Sequence, residues 1–321
     1  MMNMNVNTKN EKKMIKQYIL YVVMAVMALS LATSCSDDED VTPSNADENL
    51  FYPNAEDNSQ LAQLKRDFKQ KVGSYLLFND TLSHVQNGVD AYGNPTYKTE
   101  LVDVEYALVG SGLSHTHTYK YLTDFAKQQK AADLVASKLA PHLGKAVPYS
   151  FLIVDSASEW TINDKGQRVL VRKDTYDDQY PHPQLLLGTR CYMVSIDGGA
   201  AFEDDGYFND LFARIVKDKI GRMPADSLAT FYSYSTKYYD MYYEDMGLTE
   251  EYTDEDFLTH GFFPSWDTEY FPYKKSDLEY YEKAVAKYTL ESFTEKYGTY
   301  PLMMAKFKAL RKACEGYGIV F

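Results

Sequence analysis

The chain has 321 residues, 45% of them hydrophobic, with 46 acidic against 33 basic side chains and a formal net charge of −13 at pH 7. The length is ample for a buried core in one large domain or two small ones. The acidic balance argues against nucleic acid and anionic lipid surfaces as partners, because both need a basic footprint.

At the start, Lys9, Lys12, Lys13 and Lys16 stand against Glu11 alone, and an apolar run follows from Tyr18 to Leu31. A positive stretch, a short apolar stretch and the small residues Ala32, Thr33 and Ser34 before Cys35 define a secretory signal. The run is about 14 residues, short of the roughly 20 that a membrane-spanning helix needs. Residues 1–34 are therefore expected to be a lipoprotein signal, with Cys35 the lipidated first residue of the mature chain. Loss of that segment, with its four lysines and one glutamate, takes the net charge to about −16. Residues 35–58 are acidic and poor in apolar side chains, so they read as a flexible tether. Of the three cysteines, Cys191 and Cys314 then remain, too few for a disulfide framework, and whether they pair stays open.

Residues 59–321 make up the expected domain. Leu61, Leu64, Phe68 and Val72 predict a helix from about Ser59 to Ser74, and Tyr75–Phe78 a short strand. Tyr97–Leu108 reads as extended or irregular, up to Gly110-Ser111-Gly112. Residues 118–143 have a helical pattern with a break near Gln129, closed by Pro141 and Gly144. Tyr149–Val154 is a buried strand, and Glu159–Ile162 with Val169–Arg172 flank a hairpin turn at Asn163–Gly166. Cys191–Ile196 is a further strand. Phe208, Leu211, Phe212, Ile215 and Val216 form one helical stripe, with Asp204-Asp205 at its positive end, and Ala225–Asp240 reads as a tyrosine-crowded helix. Ser276 with Glu279 suggests a capping box opening a helix to about Lys296, and Pro301 and Gly316 frame the last one. Helices, then strands, then helices make an α+β pattern.

No nucleotide-binding or nucleophile-elbow motif is present. His115 and His117 would share a face of a strand, and His260 follows the acidic Asp254–Asp256, but neither set completes a metal site. Tyrosine is abundant, with 29 residues, and concentrated in Phe231–Tyr243. Such rings stack on sugars in secreted binding proteins and more often fill cores.

Four stretches carry a resemblance: Leu185–Gly199, Phe208–Lys217, Gly261-Phe262-Phe263 and Met304–Ile319. They are similar to Bacteroidetes substrate-import-associated zinc metallohydrolases, lipoproteins associated with nutrient importers of the starch-utilisation type. The acidic Ser36–Asp40 likewise resembles the tag that sends such lipoproteins to the outer face of the outer membrane. The resemblance implies a zincin-like single domain, helices around a small mixed sheet. It places the family's HExxH zinc helix on Phe208–Lys217, where Asp210 and Arg214 stand at the histidine positions and Leu211 at the glutamate. Leucine cannot take a proton, and arginine repels a divalent cation. Asp210 and Arg214 are instead spaced as an i, i+4 ion pair. Asp277, Glu279 and Glu282, in the region of the family's downstream acidic ligand, read as capping and solvated. The sequence thus predicts an inactive metallohydrolase-like accessory of nutrient import, binding a glycan or peptide or packing on the importer, with no cofactor. The alternative is an active zinc hydrolase drawing ligands from His115, His117, His182 or His260.

Overall fold

The structure is a computed structural model, and it describes residues 49–102, 104, 115–171, 183–247, 251–265 and 269–321. The expected signal, Cys35, most of the tether, Gly110-Ser111-Gly112 and His182 lie outside the described residues. Leu50–Phe321 forms one compact unit, and its packing already includes Phe51, which is buried and meets the Tyr149 ring edge-on at 5.0 Å.

Helix α1 (Gln60–Val72) opens where the Ser59 side chain accepts from the Ala62 amide and ends at Gly73. A φ of 81° lets the Gly73 amide donate to the Lys69 carbonyl, a termination that glycine adopts without steric cost. Strand β1 (Tyr75–Leu77) follows. Then β2 (Thr81–Val89) and β3 (Pro95–Leu101) form an antiparallel hairpin. In its turn, Asp90 Oδ1 accepts from the amides of Tyr92 and Asn94, both at 2.8 Å. Tyr97–Leu101 of β3 is the start of the stretch expected to be extended or irregular, whereas β2 was not expected; most side chains of the hairpin are exposed, so no buried face marks its period.

Strand β4 (His115–Tyr121) corrects the helix expected from residue 118. Thr116, Thr118, Tyr119 and Tyr121 suit a pleated surface, and they pair antiparallel with β5 (Ser150–Ile162). Helix α2 (Phe125–Leu134) starts only at the Asp124 cap and runs on as a π-helical turn to Leu139, without a break at Gln129. The two strands expected at 149–154 and 159–162 are one, the 13-residue β5. It turns at Asn163–Gln167 into β6 (Arg168–Leu170). Strands β7 (Leu185–Leu187) and β8 (Cys191–Ser195) are antiparallel neighbours.

One half of β5 lies between β1 and β8, parallel to both, and the other half lies between β4 and β6, antiparallel to both. Both faces of the first half are covered, so it reads as a continuous apolar run. Phe151 and Ile153 enter the main core with Tyr192 and Val194 of β8, while Leu152 and Val154 join Cys191, Met193 and Phe51 behind the sheet. Each such fully buried Phe, Ile or Leu contributes about 1.5–3 kcal/mol.

The remainder is helical: α3 (Tyr207–Gly221), α4 (Ala229–Ser233), α5 (Asp254–Thr259), α6 (Lys274–Lys287), α7 (Leu290–Tyr297) and α8 (Pro301–Gly316). Two expectations are corrected. The helix expected over 225–240 is regular only to Ser233. The helix expected over 276–296 starts at Lys274 without a side-chain cap and breaks at Tyr288, whose backbone is extended. Thr289 then caps α7 by accepting from the Ser292 amide. The capping box belongs instead to Thr253 and Asp256 at the start of α5. Among the described residues, no helix is long and apolar enough to cross a membrane.

Candidate functional site

Helix α6 has two opposed faces, and they build two different sites. Asp277, Tyr281, Ala284 and Val285 recur at helical spacing and are buried. Ser276, Glu279, Tyr280 and Lys283 lie on another face and line a cleft of about 380 Å³. Ser265, Tyr270, Pro272 and Tyr273 complete its lining.

The second wall comes from the extended chain before α6. The Tyr243 amide donates to the Glu269 carbonyl at 3.1 Å, and the Phe271 amide donates to the Met241 carbonyl at 3.0 Å. That pairing sets Tyr242 opposite Tyr270. Their rings lie 5.7 Å apart, and Tyr270 meets Tyr273 at 5.5 Å, both edge-on. Tyr242 and Tyr273 are 53% and 52% exposed, so the row faces solvent. Between them Phe271 is fully buried, stacked at 4.2 Å on Tyr252 and at 5.1 Å on Phe262. The buried phenylalanine holds the exposed tyrosines in place.

On the buried face of α6, Lys306 of α8 is 0% exposed and Asp277 is 1% exposed. Lys306 Nζ donates to both Asp277 oxygens at 2.7 Å and to the Gly261 carbonyl at 2.8 Å, using its three hydrogens. The Tyr239 hydroxyl donates to Asp277 Oδ2 at 2.6 Å, and the Tyr281 hydroxyl to the Gly261 carbonyl at 3.1 Å. The rings of Phe262, Tyr281 and Phe231 surround the ammonium at 4.5–4.9 Å. Gly261 is required here: its φ is 84°, and a Cβ would come within 2.9 Å of Leu302 Cβ and 3.0 Å of Ser235 Oγ. Burial pushes the Asp277 carboxyl up and the Lys306 amine down, while each charge favours the other's ionised form. Burial, with the Asp277 charge and hydrogen bond, also raises the Tyr239 phenol. Buried and hydrogen-bonded, the pair is a joint between α6, α8 and the 261 turn.

The carboxylates expected to be solvated divide accordingly. Glu279 is exposed and lines the cleft, whereas Asp277 and Glu282 are buried, which corrects the expectation for both. Sequence reasoning missed Lys306, although a signal existed: it interrupts the Met303, Phe307, Leu310 and Cys314 stripe, all buried.

On α3, Asp210 is exposed and Arg214 half-buried one turn on, while Leu211 is 1% exposed within the main core. The positions that the resemblance gives to the zinc motif do not fit zinc: Leu211, in place of a general base, lies among hydrocarbon, and the Arg214 guanidinium stands in place of an imidazole. His115 and His117 lie two apart on β4, His117 opposite Glu159 of β5. His260 terminates α5, its Nδ1 donating to the Asp256 carbonyl at 2.7 Å and its ring packed on Tyr238 and Phe271. The β4 histidines and His260 are therefore built into separate elements. Asp254–Asp256 form the first turn of α5. Cys191 and Cys314 are both buried free thiols. Among the described residues, no group of three or more His, Cys, Asp or Glu side chains is placed to hold a metal ion. Comparison of the chain with protein-family models, curated proteins and solved structures found no match.

Proposed function

We propose that this chain is an accessory binding protein of a nutrient-import system, displayed on the outer membrane through a lipid on Cys35 and facing the cell exterior. Its ligand, a glycan or a peptide, occupies the cleft between α6 and the 269–273 segment. In this reading the domain is a zincin-like scaffold of the substrate-import-associated metallohydrolase type whose zinc helix, α3, has lost its metal chemistry.

The observation that carries the reading is the lining of the cleft: three tyrosines, two serines, one proline, one carboxylate and one amine. Ligand sites combine apolar and aromatic walls with a few oriented polar groups, and tyrosine offers a stiff apolar face with a polar tip. Leu211 supports the inactive assignment, because a core leucine at the glutamate position cannot activate water. The display on the cell surface rests on the signal, the small residues before Cys35 and the acidic run after it.

The test is binding by the full chain, purified in detergent, to mixed polysaccharide hydrolysates and to a tryptic peptide digest. One of the two mixtures should bind, remain uncleaved, and lose binding when Tyr273 and Tyr280 are both changed to Ala. Cleavage of either mixture, dependent on added zinc, would overturn the proposal in favour of a hydrolase.

A further inference from the structure

The geometry points to a neutral oligosaccharide, at least two sugar units long, as the ligand of the tyrosine cleft. This rests on the reading that the cleft is the ligand site, and it decides between the two classes left open there.

The aromatic surface is a row rather than a socket. Tyr242, Tyr270 and Tyr273 follow one another at 5.7 and 5.5 Å with their planes tilted by 61° and 64°. Tyr270 and Tyr273 of this row line the cleft, and Tyr280, which rests against Phe263 at 6.2 Å, lines it from α6. A sugar ring has an apolar C–H face that rests on an aromatic face and hydroxyls around its rim. A stepped row of rings extending out of the cleft matches a chain of such units, and one ring would suffice for a monosaccharide.

Polar groups beside the rings choose the charge of the ligand. Glu279 and Lys283 stand one turn apart on the exposed side of α6, with the hydroxyls of Ser276 and Ser265 nearby. The carboxylate only accepts hydrogen bonds and the ammonium only donates them, so together they serve hydroxyls, which do both. Their charges cancel, which selects neither an anion nor a cation, and the chain's net charge of −13 further disfavours acidic polymers.

A peptide is the weaker fit. Extended peptides are commonly held by a free strand edge or by apolar sockets. Here backbone groups of the 269–271 segment are already committed to 241–243, and the lining alternates rings with charged and hydroxyl groups. The wall is also rigid: Phe271 is clamped between Tyr252 and Phe262, and Asp277, next to Ser276, is locked by Lys306. A preformed platform avoids the ordering cost that weakens binding of a flexible, hydrated chain.

The test is calorimetric titration of the full chain, in a detergent without a sugar headgroup. The probes are maltohexaose, cellohexaose, mannohexaose and xylohexaose, their monosaccharides, hexagalacturonate and a tryptic casein digest. At least one neutral hexasaccharide should bind, its monosaccharide at least about tenfold more weakly. Tyr273→Ala and Tyr280→Ala should each weaken binding on the order of tenfold, with unchanged circular dichroism. Binding of hexagalacturonate alone overturns the neutral assignment. Tyrosine-dependent binding of the peptides alone overturns the saccharide while keeping the cleft. A hexasaccharide bound equally by wild type and both variants overturns the cleft itself, and binding of no probe overturns both.

Discussion

Lys306 and Asp277 form a closed account of three donor hydrogens and their acceptors, buried in a ring of aromatic side chains. Removing one partner strands the other charge without water. Lys306→Met is therefore expected to lower unfolding stability by about 3–5 kcal/mol, measured by urea denaturation. Adding Asp277→Asn should recover much of that loss, since the penalty comes from the unpaired carboxylate. A loss in the double variant as large as in the single one would show that packing, rather than charge, dominates. The thiols allow a second test at this scale. Burial raises Cys191 to about 11 and Cys314 to about 12, so both remain protonated at pH 8, and only the thiolate reacts. In the native membrane-derived chain, a maleimide at pH 8 should label no cysteine, and after denaturation it should label two. Three labelled thiols after denaturation would mean that Cys35 carries no thioether lipid.

At the scale of elements, α3 separates the scaffold from the chemistry that a zinc helix would perform. Leu211 lies in the main core with Phe208, Phe212 and Ile215, so Leu211→Glu, which would supply the general base of the motif that the resemblance places there, buries a carboxyl group. Its expected cost is on the order of 3 kcal/mol, whereas Asp210→His on the exposed side should change stability by no more than about 0.5 kcal/mol. Thermal melts of the two variants check this, and a stable Leu211→Glu protein would place that position outside the core. The same stripe shows what the sequence made legible. Periodic apolar residues marked α1 and α3, Pro301 and Gly316 framed α8, the continuous apolar runs marked β1, β8 and the start of β5, and Asn163–Gly166 marked the β5–β6 turn. Elements without a buried face left a weaker mark: β2 and its pairing with β3 went unseen, and β4 was absorbed into the helix after it. The α6–α7 break was hidden because Tyr288 and Thr289 carry no glycine or proline signal. At the candidate site, the density of tyrosine was visible, but which rings face solvent depends on the pairing of 241–243 with 269–271. Asp277 read as solvated because its partner lies 29 residues away in sequence.

For the whole molecule, the abundance of tyrosine couples folding to alkaline pH. Burial raises the phenols of Tyr239, Tyr281, Tyr232 and Tyr252 above their ordinary value of 10.0. Tyr121, also desolvated and hydrogen-bonded to Asp80, is pushed up to about 12. A folded-state value above the unfolded one gives stability that is fully present below pH 10 and lost as pH rises through the folded values. Tyrosinate absorbance should therefore lag for part of the 29 tyrosines and then rise together with loss of circular dichroism, between about pH 10 and pH 12 or beyond. Ionisation of all tyrosines near pH 10 with the fold intact would contradict the buried aromatic joint. On the proposed function, a scaffold of metallohydrolase type would work here by binding through its tyrosine cleft. Zinc content by elemental analysis tests it most directly, on the full chain dialysed against zinc and then against buffer. Far less than one zinc per chain is expected, the same in His115→Ala, His117→Ala and His260→Ala. Close to one zinc per chain, lost in any of those variants, would contradict that function and favour a zinc hydrolase.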